Sequence, residues 1–542
     1  MSACWPRPRG TEVDSLRESL RRFGAILGAD LRQRSRATRF WMILSLLAGA
    51  TWWSMPPMGS AYLVLALNGH LRGEYSSAWI GMVVAMLSLW LSLIGFYVVR
   101  GTLVRDIETR VWQLLVATPM TRAAYLLAKW CSNLAVLLLI SFASLAVAVL
   151  LQWLRAEDRA IDLWELVKPT LLIALPSLGL TAACAVWFDM VPWLRRTAGN
   201  LLYFVLWLAI LIGGITLTQA RWGQGGATGL GDPYGVLLFS TATRQQAAPQ
   251  LSEPLRPGFC MGCGLRKGTL VQTFRWRHWQ PAVPDVAGRL AWLLLAAGGV
   301  MLAAPWLDRA AAHAGPAQAV TQSAGRRLRW LDFLLSPLQR SVTGALVAAE
   351  LQRRLRQRRG WWWFLLLAAS VAGAAAPPMF AALALVAAWM LMLDVYARAA
   401  IDEGEQQVSA LIFSAPGGGW QVLRARWLML VLLGGLPALP ALLRWSLSAP
   451  EQALATLVVV PSLATWALAL GLATRGSRAF ELLAFLGAYL ALEQVPGLNV
   501  AVAPPASAGW HLGLLAPGAT LAWLCWPSAQ RGGWLAAFHH QE

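Results

Sequence analysis

The chain has 542 residues, 57% of them hydrophobic and only 13% charged, against roughly 25% charged in an ordinary soluble domain. That much apolar surface exceeds what one soluble core can enclose, so it must face lipid. A formal charge of +19 does not point to nucleic acid: no nucleic-acid-binding module accompanies it, and membrane proteins keep Arg in cytoplasmic loops and beside anionic lipid.

The first forty residues are polar and Arg-rich and lack the apolar core and small-residue cleavage site of a signal peptide, so no cleavable leader is expected. Within them Leu16, Leu20, Phe23, Leu27 and Leu31 recur at helical spacing with Arg17, Arg21 and Arg22 between. This predicts an amphipathic helix lying at a membrane surface, as a lever or as a simple anchor.

A crossing helix needs about 20 apolar residues. Uncharged runs at 40–68 (broken by Pro56-Pro57), 75–99, 130–154, 169–188, 200–217 and 290–307 give six spans, with a long loop at 218–285. Residues 360–393 are uncharged and broken by Pro377-Pro378, which predicts a tight hairpin of two further spans. Runs at 427–443 and 452–474 give two more, and weaker ones near 480–497 and 509–527 complete twelve. The fold class expected is therefore all-α integral membrane. With the N-terminus inside, the inside segments hold 32 of the 45 Lys and Arg residues, which fixes the expected orientation in a plasma (inner) membrane.

A repeat runs through the chain. At a spacing of 297 residues, Glu108 falls on Glu405, Leu114 on Leu411, Pro119 on Pro416 and Trp130 on Trp427, while Asp106 meets Glu403 and Lys129 meets Arg426. Each copy lies between the second and third span of its half. Each half also opens on an Arg-rich lead-in, Leu31-Arg-Gln-Arg and Leu355-Arg-Gln-Arg. The expected plan is two parallel six-helix repeats: an N-terminal cytoplasmic segment 1–39, a first half 40–307, an Arg-rich linker 308–359, a second half 360–527 and a tail 528–542.

The first copy reads Asp106-Ile-Glu-Thr-Arg-Val-Trp-Gln-Leu-Leu-Val-Ala-Thr-Pro-Met-Thr-Arg122 and continues to Tyr125-Leu-Leu-Ala-Lys129. It resembles the hallmark loop of ABC-2-type permeases: acids after the second span, a short amphipathic helix with paired Leu (Leu114, Leu115), a Thr-Pro turn (Pro119), a basic residue (Arg122), then Leu-Leu-x-Lys into the third span. The second copy, with Glu403, Glu405, Leu411, Pro416 and Arg426, departs after the proline, where Gly417-Gly-Gly replaces polar and basic residues. The resemblance implies the membrane subunit of an ATP-driven exporter, coupled through loops 100–129 and 397–426 to ABC ATPase subunits, two copies for two halves. It also implies an exported substrate that the sequence does not identify.

No G-x-x-x-x-G-K-[ST] phosphate loop occurs, so the chain is expected to be no enzyme, to bind no cofactor itself, and to leave ATP and Mg to the partner. Cys260-Met-Gly-Cys263 lies in the 218–285 loop. A disulfide pinning that loop is the first reading, since four zinc ligands are not at hand and no metal site is expected. Arg275-Trp-Arg-His-Trp279 reads as interfacial anchoring, with the mouth of an export path as the other possibility. Asp189, Arg195 and Arg196 need no special role. A gradient-driven secondary transporter would want acids near mid-membrane, and few are present; that reading and a membrane anchor or assembly protein stay open as alternatives.

Overall fold

The computed structural model describes residues 12–36, 38–57, 62–108, 121–155, 157–195, 197–222, 229–251, 254–265, 270–307, 329–356, 358, 360–401, 418–493, 495 and 497–530. It divides into two compact units, 1–317 and 318–542. Both are overwhelmingly helical, as the apolar runs require: a backbone in lipid must satisfy its own polar groups.

The first unit begins with α1 (Glu12–Arg36) and α2 (Thr38–Ser54). Strands β1 (Tyr62–Ala66) and β2 (Leu71–Gly73) precede α3 (Ser77–Val99), which continues into α4 (Thr102–Glu108). Next come α5 (Arg122–Arg155) and α6 (Leu163–Pro169), then a π turn at Thr170–Ala174 and α7 (Leu175–Met190). The remainder is α8 (Thr197–Ala220), α9 (Val236–Ala247), β3 (Cys260–Gly264), β4 (Gln272–Phe274) and α10 (Val283–Leu302).

Helix α3 is the axis of this unit and the most buried of its spans. It packs on α5, α6 and α7. The approach to α6 is possible because Gly81 has no side chain: a Cβ there would lie 2.8 Å from the backbone oxygens of Glu165 and Leu166. Aromatic side chains join α8 to α3. Tyr203 stacks on Phe96 with centroids 3.6 Å apart, and the Trp207 indole donates to Leu89 O at 3.1 Å. On the outward faces Leu139, Phe142, Val205, Ile212, Leu294 and Leu295 stay exposed, as side chains that meet lipid do.

The long loop expected at 218–285 carries α9, β3 and β4 among its described residues. β1 pairs antiparallel with β3, and β2 pairs parallel with β4, so the segment between α2 and α3 is tied to the loop. Cys260 is disulfide-bonded; the side chain of Cys263 lies outside the described residues. Trp79 forms the centre of an aromatic cluster with Phe239, Phe274 and Trp276 at centroid distances of 5.6–6.3 Å. Trp276 is fully buried and Trp279 nearly so. The interfacial-anchor reading of these two indoles is therefore corrected: they are packed inside protein, and only Arg275, Arg277 and His278 of that run point outward.

The second unit contains α11 (Arg329–Leu335), α12 (Val342–Leu355), α13 (Gly360–Ala375), α14 (Pro378–Leu391), α15 (Leu393–Arg398), α16 (Gly418–Ser448), α17 (Pro450–Thr474), α18 (Arg478–Leu492) and α19 (Pro504–Gln530). Pro377-Pro378 splits the 360–393 run as the sequence predicts, because proline lacks the N–H that an unbroken helix needs. The core is built from small residues: Ala381, Ala438, Ala441 and Ala455 pack beside Leu385 and Trp445.

A helix occupies each of the twelve segments read as spans. Among the described residues seven are long and apolar enough to cross a membrane, five in the first unit and two in the second. The other five do not meet that standard. Helices α2, α13, α14 and α18 have 17, 16, 14 and 15 residues, and α19 has length without sufficient apolarity.

Candidate functional site

The site is built where three helices of the first unit meet. Asp30 follows Phe23 and Leu27 at helical spacing on the apolar stripe of α1, so it is carried into the contact between α1 and α5 rather than out to water. Four residues on, Arg34 reaches back to it, Nε to Oδ2 at 3.0 Å. From α5, the Lys129 ammonium sits 3.0 Å from Asp30 Oδ1 and 2.8 Å from Asp106 Oδ2. Ser132 donates to Asp30, Arg34 donates to Asn133, and the Tyr125 hydroxyl donates to Asp106 at 2.7 Å.

The cluster is buried: Lys129 is 5% and Asp30 7% exposed. Burial by itself raises the Asp30 pKa, but the charges of Arg34 and Lys129 outweigh it and hold the carboxyl below its ordinary value. A buried charge left alone costs about 3–5 kcal/mol, so the members depend on one another. Lys129 is a single cation serving two acids on two other helices.

A second buried pair lies at the same end of α3. Asp189 at the end of α7 accepts from Gly101 N at 2.8 Å and lies 3.6 Å from Arg100 Nε, with both side chains almost inaccessible. Its backbone oxygen accepts from Arg195. Gly101 can take this position because its φ is +91°, a conformation that favours glycine. Asp189 and Arg195 thus hold the turn after α7 to the root of α4, a role the sequence did not reveal.

Of the residues expected in the two coupling loops, the structure brings Asp106 and Lys129 together. Arg122 is exposed at the start of α5. Leu114, Leu115 and Pro119 lie outside the described residues, as do Glu403, Glu405, Leu411 and Pro416; for Glu108 only the helical backbone is described. Arg426 is 2% exposed in α16. Sequence reasoning missed Asp30, Arg34, Ser132 and Asn133. The available signal was an acid at position 30 in phase with the apolar stripe.

The second unit has ion pairs of its own. Helix α12 packs on α16, the helix that buries Arg426. On α12, Arg354 Nε lies 3.4 Å from Glu350 Oε2 across one helical turn. Arg358 pairs with Asp394 at 2.8 Å, which ties the lead-in to α15.

At the opposite end of the first unit, charges hold the folded cap. Arg72 and Glu157 pair at 2.7 Å, and Glu157 also accepts from Tyr75 N. Arg289 and Asp232 pair at 2.8 Å with 2% and 0% exposure, while Asp232 also accepts from Val236 N and Leu238 N at the head of α9.

No family model, no curated protein and no solved structure matches the chain.

Proposed function

We propose that this chain is the permease subunit of an ABC-2-type exporter, driven by separate ATPase subunits that push on loops 100–129 and 397–426. In this reading six helices of each unit cross the membrane, with the N-terminus and both loops on the cytoplasmic side. The helices α2, α13, α14, α18 and α19 complete the twelve beside the seven long ones.

The observation that carries the reading is the pair of contacts made by Lys129. Asp106 and Lys129 stand at the two roots of the loop, and Lys129 bridges Asp106 to Asp30 of α1. A force on the loop is therefore delivered to α1, α4 and α5 together instead of being absorbed by bending at its base. Such a lever is what a permease without its own motor needs. ATP does work here only if it binds one arrangement of the assembly better than the other.

The second unit supports the same plan. At a spacing of 320 residues, Asp30-Leu-x-x-Arg-x-Arg36 falls on Glu350-Leu-x-x-Arg-x-Arg356, Arg39 on Arg359 and Trp41 on Trp361. The two i, i+4 ion pairs favour this register over the pairing of Leu31 with Leu355. From here to the loops the spacing drops from 320 to 297, so the first unit holds 23 more residues between the landmarks. Most of these belong to the stretch between α2 and α3, residues 55–76 with β1 and β2, where the second unit has only Ala376 and Pro377 between α13 and α14. In this reading the repeat is one plan with a cap inserted in its first copy.

Reversal of charge by Glu108→Lys tests the reading. The variant is expected to remain in the membrane and to lose its ATPase partner on purification. Full retention of the partner together with normal export would contradict the loop's role.

A further inference from the structure

We propose that Asp162, Glu165 and His278 form a binding site for a divalent transition-metal ion of the zinc class. One ligand atom from each lies within 4.8 Å of the other two. Around tetrahedral zinc, bonds of about 2.0–2.1 Å place ligands roughly 3.4 Å apart, so the site must contract modestly.

The parts allow that contraction. Asp162 is exposed and caps α6, with Oδ1 accepting from Trp164 N and Glu165 N. Glu165 is buried, and its Oε2 is fixed by Trp279 N at 3.0 Å. Its other oxygen, Oε1, faces His278 Nδ1 at 3.6 Å. His278 is 71% exposed and sits between the outward Arg277 and the buried Trp279. One ligand is thus fixed and two can close on an ion. Backbone N–H groups hold carboxylate oxygens of both acids, as outer-shell partners hold metal ligands.

The donor set selects the ion. An imidazole with two carboxylates suits zinc and its neighbours, whereas magnesium and calcium prefer oxygen alone. Lys168 is the competitor. Its ammonium lies 2.6 Å from Glu165 Oε1 and donates to Trp279 O, so it neutralises one of the two carboxylates and weakens the attraction for a second cation. The affinity is accordingly modest, and removing this charge should strengthen it. A bound ion would clamp the segment before α10 to the start of α6, directly upstream of the π turn that leads into α7.

The experiment uses the full chain in detergent, stripped with chelator, with His539 and His540 replaced by Ala in every sample so that the tail does not bind metal. Equilibrium dialysis against zinc with elemental analysis is expected to show one saturable ion per chain that is lost in His278→Ala and Asp162→Asn. Lys168→Met is expected to bind zinc at least tenfold more tightly and to be stabilised by it more than the parent. Zinc should raise the thermal midpoint of the parent and leave that of His278→Ala unchanged. Equal zinc uptake by the parent and His278→Ala would overturn the site, as would stabilisation by calcium or magnesium equal to that by zinc. His278→Ala changes an exposed side chain, so the comparison stands even if Lys168→Met fails to fold.

Discussion

Lys129 and Asp106 are 23 positions apart in sequence and 2.8 Å apart in space, and the loop between them is the segment expected to meet an ATPase. Lys129→Met leaves Asp106 and Asp30 without their shared cation. Loss of one member of a buried pair costs about 3–5 kcal/mol, so a clear fall in the thermal midpoint is expected. Combining it with Asp106→Asn should cost less than the sum of the two single changes. Additive losses would show that the contact carries no coupling.

The acid side of the same cluster has a signature in pH. The Asp30 carboxyl titrates lower in the folded chain than its ordinary value, because the charges of Arg34 and Lys129 outweigh the effect of burial. Its contribution to stability is complete above the ordinary carboxylate pKa of about 3.9 and is lost as pH falls through the lower folded value. Thermal unfolding should therefore separate the parent from Asp30→Asn at pH 7, and the gap should narrow as the pH falls below about 4. A gap that stays constant under further acidification would contradict this.

In the proposed repeat Arg426 of the second unit corresponds to Lys129, and both side chains are buried. Arg426→Met is expected to weaken association with the ATPase and lower stability to a similar extent, and Arg426→Lys to retain most of both. Co-purification yields for the two variants check this. Indifference to Arg426→Met would leave the second loop without an anchor of the first kind.

Gly81→Ala tests the packing that sets the position of α6. The added methyl would lie 2.8 Å from two backbone oxygens that cannot rotate away. Overpacking of this kind costs about 1–3 kcal/mol. The thermal midpoint should fall, and Gly95→Ala, whose closest clash is with the flexible tip of Leu137, should cost less.

Positions of helices were legible because lipid leaves the sequence little freedom: uncharged runs and proline pairs located a helix at every expected segment. A local motif singled out Asp106 and Lys129, but not their contact with one another. Asp30 was not, because its partners Lys129 and Ser132 lie 99 and 102 positions away and its own neighbourhood reads as a surface helix. The strand Cys260–Gly264 was hidden by two glycines in a five-residue segment, a composition poor in strand formers, and its pairing with β1 joins parts of the chain far apart in sequence. Trp276 and Trp279 carry the residue type of an interfacial anchor, and only tertiary packing shows them inside the cap. Asp189 and Arg100 are each ordinary at a helix end; their burial against one another depends on how α3 and α7 converge.

The most direct measurement is purification of the chain from its native membrane in gentle detergent, followed by mass spectrometry of whatever accompanies it. An exporter subunit is expected to bring with it a stoichiometric soluble subunit carrying a phosphate loop, whose retention falls in Lys129→Met. A solitary chain, under conditions that preserve other membrane complexes, would contradict the exporter assignment and favour a carrier that works without an ATPase.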